Sequence, residues 1–318
     1  MFERPQTNVD ENLIKDYVSL EVGLRVRSKI ERGHLQLPIY RCLDSEGRKV
    51  VIKIGVGEEG KKEIEDNLFG YSKIAQIGAE ELVPEYLRLI KTPWGPALIM
   101  EDLGEDFRER AISPEKTSEL FNAFKASMTR AIEATTRLQK DSHERGLAET
   151  KGQIKRWLVK LGEYGIINIQ ISAYLDAINL SEISSAKSAI MLLDLTPDNI
   201  FVKGGVVKFI DPWFQQEYLG TPIPGISQFI TLAEDIYRIE GFNDTNLRHS
   251  EFLEEAGIGL LGLTQDQLTV QIALGRALQY SLSSYVRITG NPKLSRTYAT
   301  LAVKEVEKIS NGRKTNNE

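Results

Sequence analysis

The segment Leu193-Asp194-Leu195-Thr196-Pro197-Asp198-Asn199 sets a carboxylate and a carboxamide on either side of four intervening residues, and Asp211 follows after an apolar, β-branched stretch. That stretch, Ile200 to Ile210, reads as a hairpin turning at Gly204-Gly205. A tight turn brings the outer ends of its strands together, so Asp194, Asn199 and Asp211 are expected to converge at one end of the hairpin. Magnesium takes a few oxygen ligands from protein and leaves the rest to water and phosphate, which suits Asn199 and Asp211 as metal ligands and leaves Asp194 as a free carboxylate. Each residue alone is an ordinary turn former. The order Asp, four residues, Asn, hairpin, Asp has far fewer accidental explanations.

Short strands are expected over 23–30, 37–43, 49–54 and 97–101, with a turn at Asp44-Ser45-Glu46-Gly47 and a helix over 58–77 carrying Ile64, Leu68, Tyr71 and Ile74 at helical spacing. Beyond Gly104 the pattern becomes helical. Ser113-Pro114 is a good start, capped by Ser with Pro at the first helical position, and Gly146 is the expected stop. Further helical stretches are read over 153–180, 227–240, 264–287 and 294–309, and residues 310–318 read as a frayed polar tail. The expected fold class is α+β in two lobes: an antiparallel sheet with one helix over residues 1–103, and a mainly helical lobe with the hairpin over residues 104–309.

Of the 318 residues, 41% are hydrophobic and 27% charged, enough for a substantial core. The net charge of -5 gives no basic footprint for nucleic acid. Cys42, the single cysteine, excludes an internal disulfide and a multi-thiolate zinc site. His34, His143 and His249 sit at no metal-binding interval. No run approaches the roughly 18 apolar residues of a membrane span, and the N-terminal residues lack a signal-peptide core, so a soluble, cytoplasmic protein is expected.

Leu192-Leu193-Asp194-Leu195-Thr196-Pro197-Asp198-Asn199 and Ile210-Asp211-Pro212 resemble the catalytic and metal loops of the aminoglycoside phosphotransferase and choline kinase branch of the protein-kinase-like superfamily, over most of residues 20–290. The resemblance implies a kinase using ATP and Mg2+, with Asp194 as catalytic-loop base, Asn199 and Asp211 holding magnesium, and a hydroxyl of a small molecule as acceptor. Lys53, inside the apolar strand Val50-Val51-Ile52-Lys53-Ile54, fits the cation that holds the α and β phosphates. Its expected helix partner is Glu65, preferred over Glu63 because Leu68 and Phe69 follow it at three and four residues. Leu98 to Gly104 resembles the family's hinge, which implies adenine contacts at the Glu101 carbonyl and the Leu103 amide, with Met100 behind the base.

The chain departs from the family in three places. Leu192 replaces the histidine that braces the loop, Glu31-Arg32-Gly33-His34 has one glycine where phosphate-covering loops often have several, and Asp211 is followed by Pro212-Trp213-Phe214. The alternatives are a catalytically silent nucleotide-binding pseudokinase, a kinase acting on a protein, and a nucleotidyl transferase. A cationic aminoglycoside acceptor would call for cleft carboxylates, for which Glu217, Glu234, Asp235 and Glu240 are the contributors to weigh.

Overall fold

The computed structural model describes residues 10–30, 37–168, 172–211, 218–242 and 246–311. The chain packs as two compact units, one of Met1–Ser72 with Val83–Gly104 and the other of Lys73–Leu82 with Glu105–Glu318.

The first unit opens on helix α1 (Glu11–Leu20), which the periodicity reading did not identify; Asp10 caps it by accepting the Asn12 amide at 2.9 Å, and it buries Ile14 and Val18 one turn apart. Strands β1 (Arg25–Lys29), β2 (Ile39–Leu43) and β3 (Lys49–Ile54) precede helix α2 (Gly57–Gln76), and β4 (Tyr86–Thr92) and β5 (Gly95–Glu101) follow it. They form a five-stranded sheet ordered β1-β2-β3-β5-β4, with every neighbouring pair antiparallel. β3 therefore lies at the centre, bonded on both sides. Its residues Val50, Ile52 and Ile54 join Tyr40, Cys42, Ala97, Ile99 and the α1 pair in one apolar core. Alternation along the strand sends Lys53 to the opposite face, which it shares with its register partner Leu98 and with Met100. Burial raises the Cys42 thiol to about 12, so it is a packing group rather than a nucleophile.

In the second unit α3 (Phe107–Arg110) starts in a capping box between Asp106 and Glu109. Helix α4 (Pro114–Thr135) begins as expected, with Ser113 as cap and Pro114 at the first position. Gly146 does not stop it. The break comes at residues 136–139, where Leu138 is 82% exposed, and Gly146 lies inside α5 (Lys140–Glu163). A Cβ at Gly146 would stand 2.6 Å from Met191 Sδ, so its conservation of space, not a turn, is why glycine fits. Short helices α6 (Ser172–Asp176) and α7 (Leu180–Ile183) lead to β6 (Ala189–Ile190), which pairs with β9 (Leu219–Gly220). Between these strands lies the hairpin of β7 (Ile200–Lys203) and β8 (Val206–Phe209), turning on Gly204 and Gly205 with φ of 60° and 77°. Positive φ at both turn residues matches the twist of a two-residue hairpin, and glycine adopts it without strain.

Helix α8 (Ile223–Thr231) runs into a π-helical turn, Leu232–Ile236, and α9 (Asn246–Glu254) into another, Glu255–Leu260. Helix α10 (Gln265–Tyr285) packs against α5, α8 and α11 (Pro292–Asn311), and the core there includes Leu147, Ile154, Leu274, Leu278 and Ala302. No helix among the described residues is long and apolar enough to cross a membrane.

His143 is fully buried in this core, its Nδ1 donating to the Lys187 carbonyl at 2.6 Å and its Nε2 accepting from Gln271 at 3.1 Å. That pattern is one neutral tautomer. Burial lowers its pKa to about 4, while the unfolded chain has an ordinary imidazole near 6.5. Below about pH 6.5 the unfolded state gains a proton that the folded state refuses, so this contribution to stability is present above that pH and is lost down to about pH 4. An NMR titration should show the His143 Hε1 shift unchanged from pH 8 to 5.5; a midpoint near 6.5 would overturn the assignment.

Candidate active site

In the first unit the Lys53 side chain is almost wholly buried, and its Nζ lies 2.6 Å from Glu63 Oε1 and 3.2 Å from Asn67 Oδ1. The expected partner Glu65 is corrected here to Glu63. Residues 63 and 67 are one helical turn apart and flank the buried Ile64, whereas Glu65 lies about 200° further round α2 and is exposed. Phe69, part of the reason for choosing Glu65, is 40% exposed and does not mark the inner face.

The residues expected to form a hinge lie at the end of β5. The Glu101 amide donates to the Glu85 carbonyl at 2.9 Å, its Oε1 accepts from the Glu85 amide, and the Asp102 amide donates to the Lys49 carbonyl at 3.2 Å. Leu103 and Met100 are buried, and the Asp102 carboxylate is held between the Gly104 amide at 2.9 Å and Arg41 at 3.6 Å. The single-glycine loop, Glu31 to His34, lies outside the described residues.

In the second unit the hairpin does bring its outer ends together. β7 pairs with β8 from Ile200↔Phe209 outward, and the next bond, from the Ile210 amide to the Asn199 carbonyl at 3.0 Å, puts Asn199 beside the residue preceding Asp211. The loop leading in is wound by short-range bonds: the Thr196 amide donates to the Asp194 carbonyl at 2.8 Å, and the Asn199 amide to the Thr196 carbonyl at 2.9 Å, closing a 3-10 turn over Pro197–Asn199. Asp194 and Asp211 have φ of 61° and 49°, and with Arg238 they are the non-glycine residues of positive φ among those described. Left-handed backbone is unfavourable for residues bearing a Cβ, least so for Asp and Asn, and it recurs where surrounding structure holds functional side chains. Burial, with the Asp211 carboxylate nearby, raises the Asp194 carboxyl to about 7.

Leu192, in place of a histidine, is buried, and the loop is braced from α8 instead. Gln228 Oε1 accepts the Asp194 amide at 3.1 Å, Gln228 Nε2 donates to Gln279 Oε1 at 2.9 Å, and Gln279 Nε2 donates to Ser283 Oγ at 2.9 Å. All three side chains are buried. Glycine permits the close approach: a Cβ on Gly225 of α8 would stand 2.0 Å from the Leu192 carbonyl oxygen, and one on Gly275 of α10 2.3 Å from that of Pro224.

Sequence reasoning also missed the surroundings of Asp198. Tyr237 Oη donates to Asp198 Oδ2 at 2.8 Å, Arg108 Nη1 approaches Oδ1 at 3.4 Å, and the Arg108 guanidinium lies 4.5 Å from the Tyr237 ring centroid. Burial first, then the Asp198 carboxylate, raises the Tyr237 phenol well above its ordinary range. Of the carboxylates weighed for a cationic acceptor, Glu234 accepts from His249 Nδ1 at 2.8 Å, Asp235 bonds the Tyr280 hydroxyl, Glu240 is exposed, and Glu217 lies outside the described residues with Pro212, Trp213 and Phe214. No group of three or more His, Cys, Asp or Glu poised for a metal occurs among the described residues.

The fold that carries these groups is that of the aminoglycoside phosphotransferases and related small-molecule kinases. A Ralstonia eutropha protein assigned to the aminoglycoside phosphotransferases superposes with a TM-score of 0.55 at 12% identity, covering 94% of this chain and 98% of that one. A thermostable mutant of aminoglycoside phosphotransferase APH(4)-Ia gives 0.54 at 12% identity, with 93% and 98% covered. Amicoumacin kinase hAmiN, in complex with AMP-PNP, Ca2+ and Ami, gives 0.53 at 15% identity, with 98% and 96% covered. No protein-family profile matches the sequence, and no curated protein does.

Proposed function

We propose that the chain is a cytoplasmic, ATP- and Mg2+-dependent phosphotransferase that moves a phosphoryl group to a hydroxyl of a small molecule. The observation that carries this reading is the hairpin foot, where the Ile210 amide bonds the Asn199 carbonyl and so sets Asn199 beside the residue preceding Asp211, with Asp194 and Asp211 both in left-handed backbone. A carboxylate raised first by burial and then by a second carboxylate is a fit for a dication, since a bound cation offsets both the lost hydration and the repulsion. Asn199 and Asp211 would hold magnesium, and Lys53, fixed by Glu63 and Asn67, would hold the α and β phosphates. When bound, magnesium neutralises charge developing on the transferred group.

The remaining work falls to the protein. Asp194 accepts the acceptor's hydroxyl proton at a carboxylate oxygen, and a pKa near the working pH suits that exchange. Met100, the Glu101 carbonyl and the Leu103 amide bind the adenine by shape and backbone hydrogen bonds. The engagement of Glu234 and Asp235 with His249 and Tyr280 favours an acceptor less cationic than an aminoglycoside.

The test is incubation of the full chain with γ-labelled ATP and Mg2+ across a panel of small alcohols, aminoglycosides and a protein lysate. Transfer to a small molecule is expected. Label on protein would move the acceptor class, incorporation of α-label would establish nucleotidyl transfer, and a thermal shift with ATP but no transfer would leave a silent nucleotide-binding module, the alternative that Leu192 makes worth testing.

A further inference from the structure

We propose that Tyr237 is a positioning residue that, with Arg108, clamps the Asp194 to Asn199 loop through the Asp198 carboxylate; its catalytic meaning rests on the phosphotransferase reading above. Both carboxylate oxygens of Asp198 are engaged from outside the loop, by a phenol 39 residues later and a guanidinium 90 residues earlier. The guanidinium also covers the phenol ring, so the three groups brace one another. Gln228 holds the near end of the loop at the Asp194 amide. Asp198 lies at the far end, within the 3-10 turn that ends on Asn199. Holding both ends fixes the spacing between the proposed base and the proposed metal ligand.

The backbone around Tyr237 is shaped for this contact. A π-helical turn ends at Ile236 immediately before it, and Arg238 immediately after has a φ of 51°. Both are uncommon arrangements that persist where a side chain must be aimed against the regular helical register. The π turn is itself anchored, Glu234 to His249 of α9 and Asp235 to Tyr280 of α10. Tyr237 thus stands on a fixed support.

Tyr237→Phe keeps the ring beneath Arg108 and removes only the donor, so hydrogen exchange can isolate the clamp. Amides of Thr196, Asn199 and Ile210 should exchange about tenfold faster in the variant while amides in α8 and α10 keep their rates, because one charge-assisted hydrogen bond is lost. The turnover number should fall about tenfold with the KM for ATP within about twofold. Asp198→Asn retains an oxygen that can accept from Tyr237 and should preserve most of the loop protection, which Asp198→Ala should lose. Unchanged loop exchange in Tyr237→Phe, acceleration spread evenly over the whole unit, or equal loss of protection in the Asn and Ala variants would overturn the clamp. Exchange reads the clamp without catalysis, so a chain that transfers no phosphate but loosens as described would refute the function and keep the clamp.

Discussion

Asp194→Asn should lower phosphoryl transfer by roughly two to four orders of magnitude, the usual contribution of a positioned general base, while ATP affinity stays within about threefold. The same substitution should stabilise the protein at neutral and alkaline pH. In the metal-free folded chain Asp194 titrates at about 7, against roughly 3.9 for an unfolded aspartate. Between these values the folded state holds a proton that the unfolded state has released, so stability falls as pH rises from about 4 to about 7 and is level above. At 1.36 kcal/mol per unit of pKa the loss at pH 8 is at most about 4 kcal/mol, and an asparagine there does not incur it. His143 acts in the opposite sense over nearly the same window, since its contribution grows as pH rises from about 4 to about 6.5. The wild-type stability profile should therefore be flatter than either group alone would make it. Thermal melts of wild type and Asp194→Asn in EDTA should coincide near pH 4 and separate by pH 8, with the variant more stable. A constant separation at every pH would show that the carboxyl is not perturbed, and full turnover in the variant would remove Asp194 from the chemistry.

The hairpin and its polar ends were legible because the information is local: alternating Val, Ile and Phe residues set the strands, Gly204-Gly205 sets the turn, and pairing then carries Asn199 to the foot of Asp211. Lys53 was legible for the same reason, as one cation in an apolar strand. Its partner was not, because choosing between Glu63 and Glu65 requires the inner face of α2, and Phe69 suggested the wrong one. Helix α1 left a readable signal in Asp10 and the Ile14 and Val18 spacing. Strand β4 was harder, since its register slips between Tyr86 and Arg88 and Leu89 is 52% exposed, which breaks the alternation. The groups that hold the loop from Asp194 to Asn199 are beyond any local pattern. Gln228 meets Asp194 from 34 residues away, and Arg108 and Tyr237 meet at Asp198 only through tertiary packing. The residues proposed for the chemistry are thus announced by short spacing, whereas the residues that hold their loop are defined by the fold.

Glu63→Gln should reduce turnover about tenfold to a hundredfold and Glu65→Gln should leave it within about twofold, a contrast that follows from which glutamate meets Lys53. Lys53 has almost no access to water, so removing the Glu63 carboxylate takes away an ion pair of 2.6 Å from a buried ammonium that the Asn67 carbonyl oxygen also meets. Breaking such a pair from one side costs up to about 3 kcal/mol, whereas the exposed Glu65 side chain can be neutralised with almost none. Lys53→Met should restore that stability, because a thioether of similar length needs no counter-charge in an apolar strand, yet it should abolish transfer and weaken ATP binding at least about tenfold. Stability and activity then move in opposite directions between the two variants, which simple unfolding cannot produce. Melting temperatures, ATP titration by calorimetry and steady-state rates on Glu63→Gln, Glu65→Gln and Lys53→Met decide the matter. Equal losses for the two glutamates, or normal ATP affinity in Lys53→Met, would detach this buried pair from nucleotide binding and leave it a purely structural link between β3 and α2.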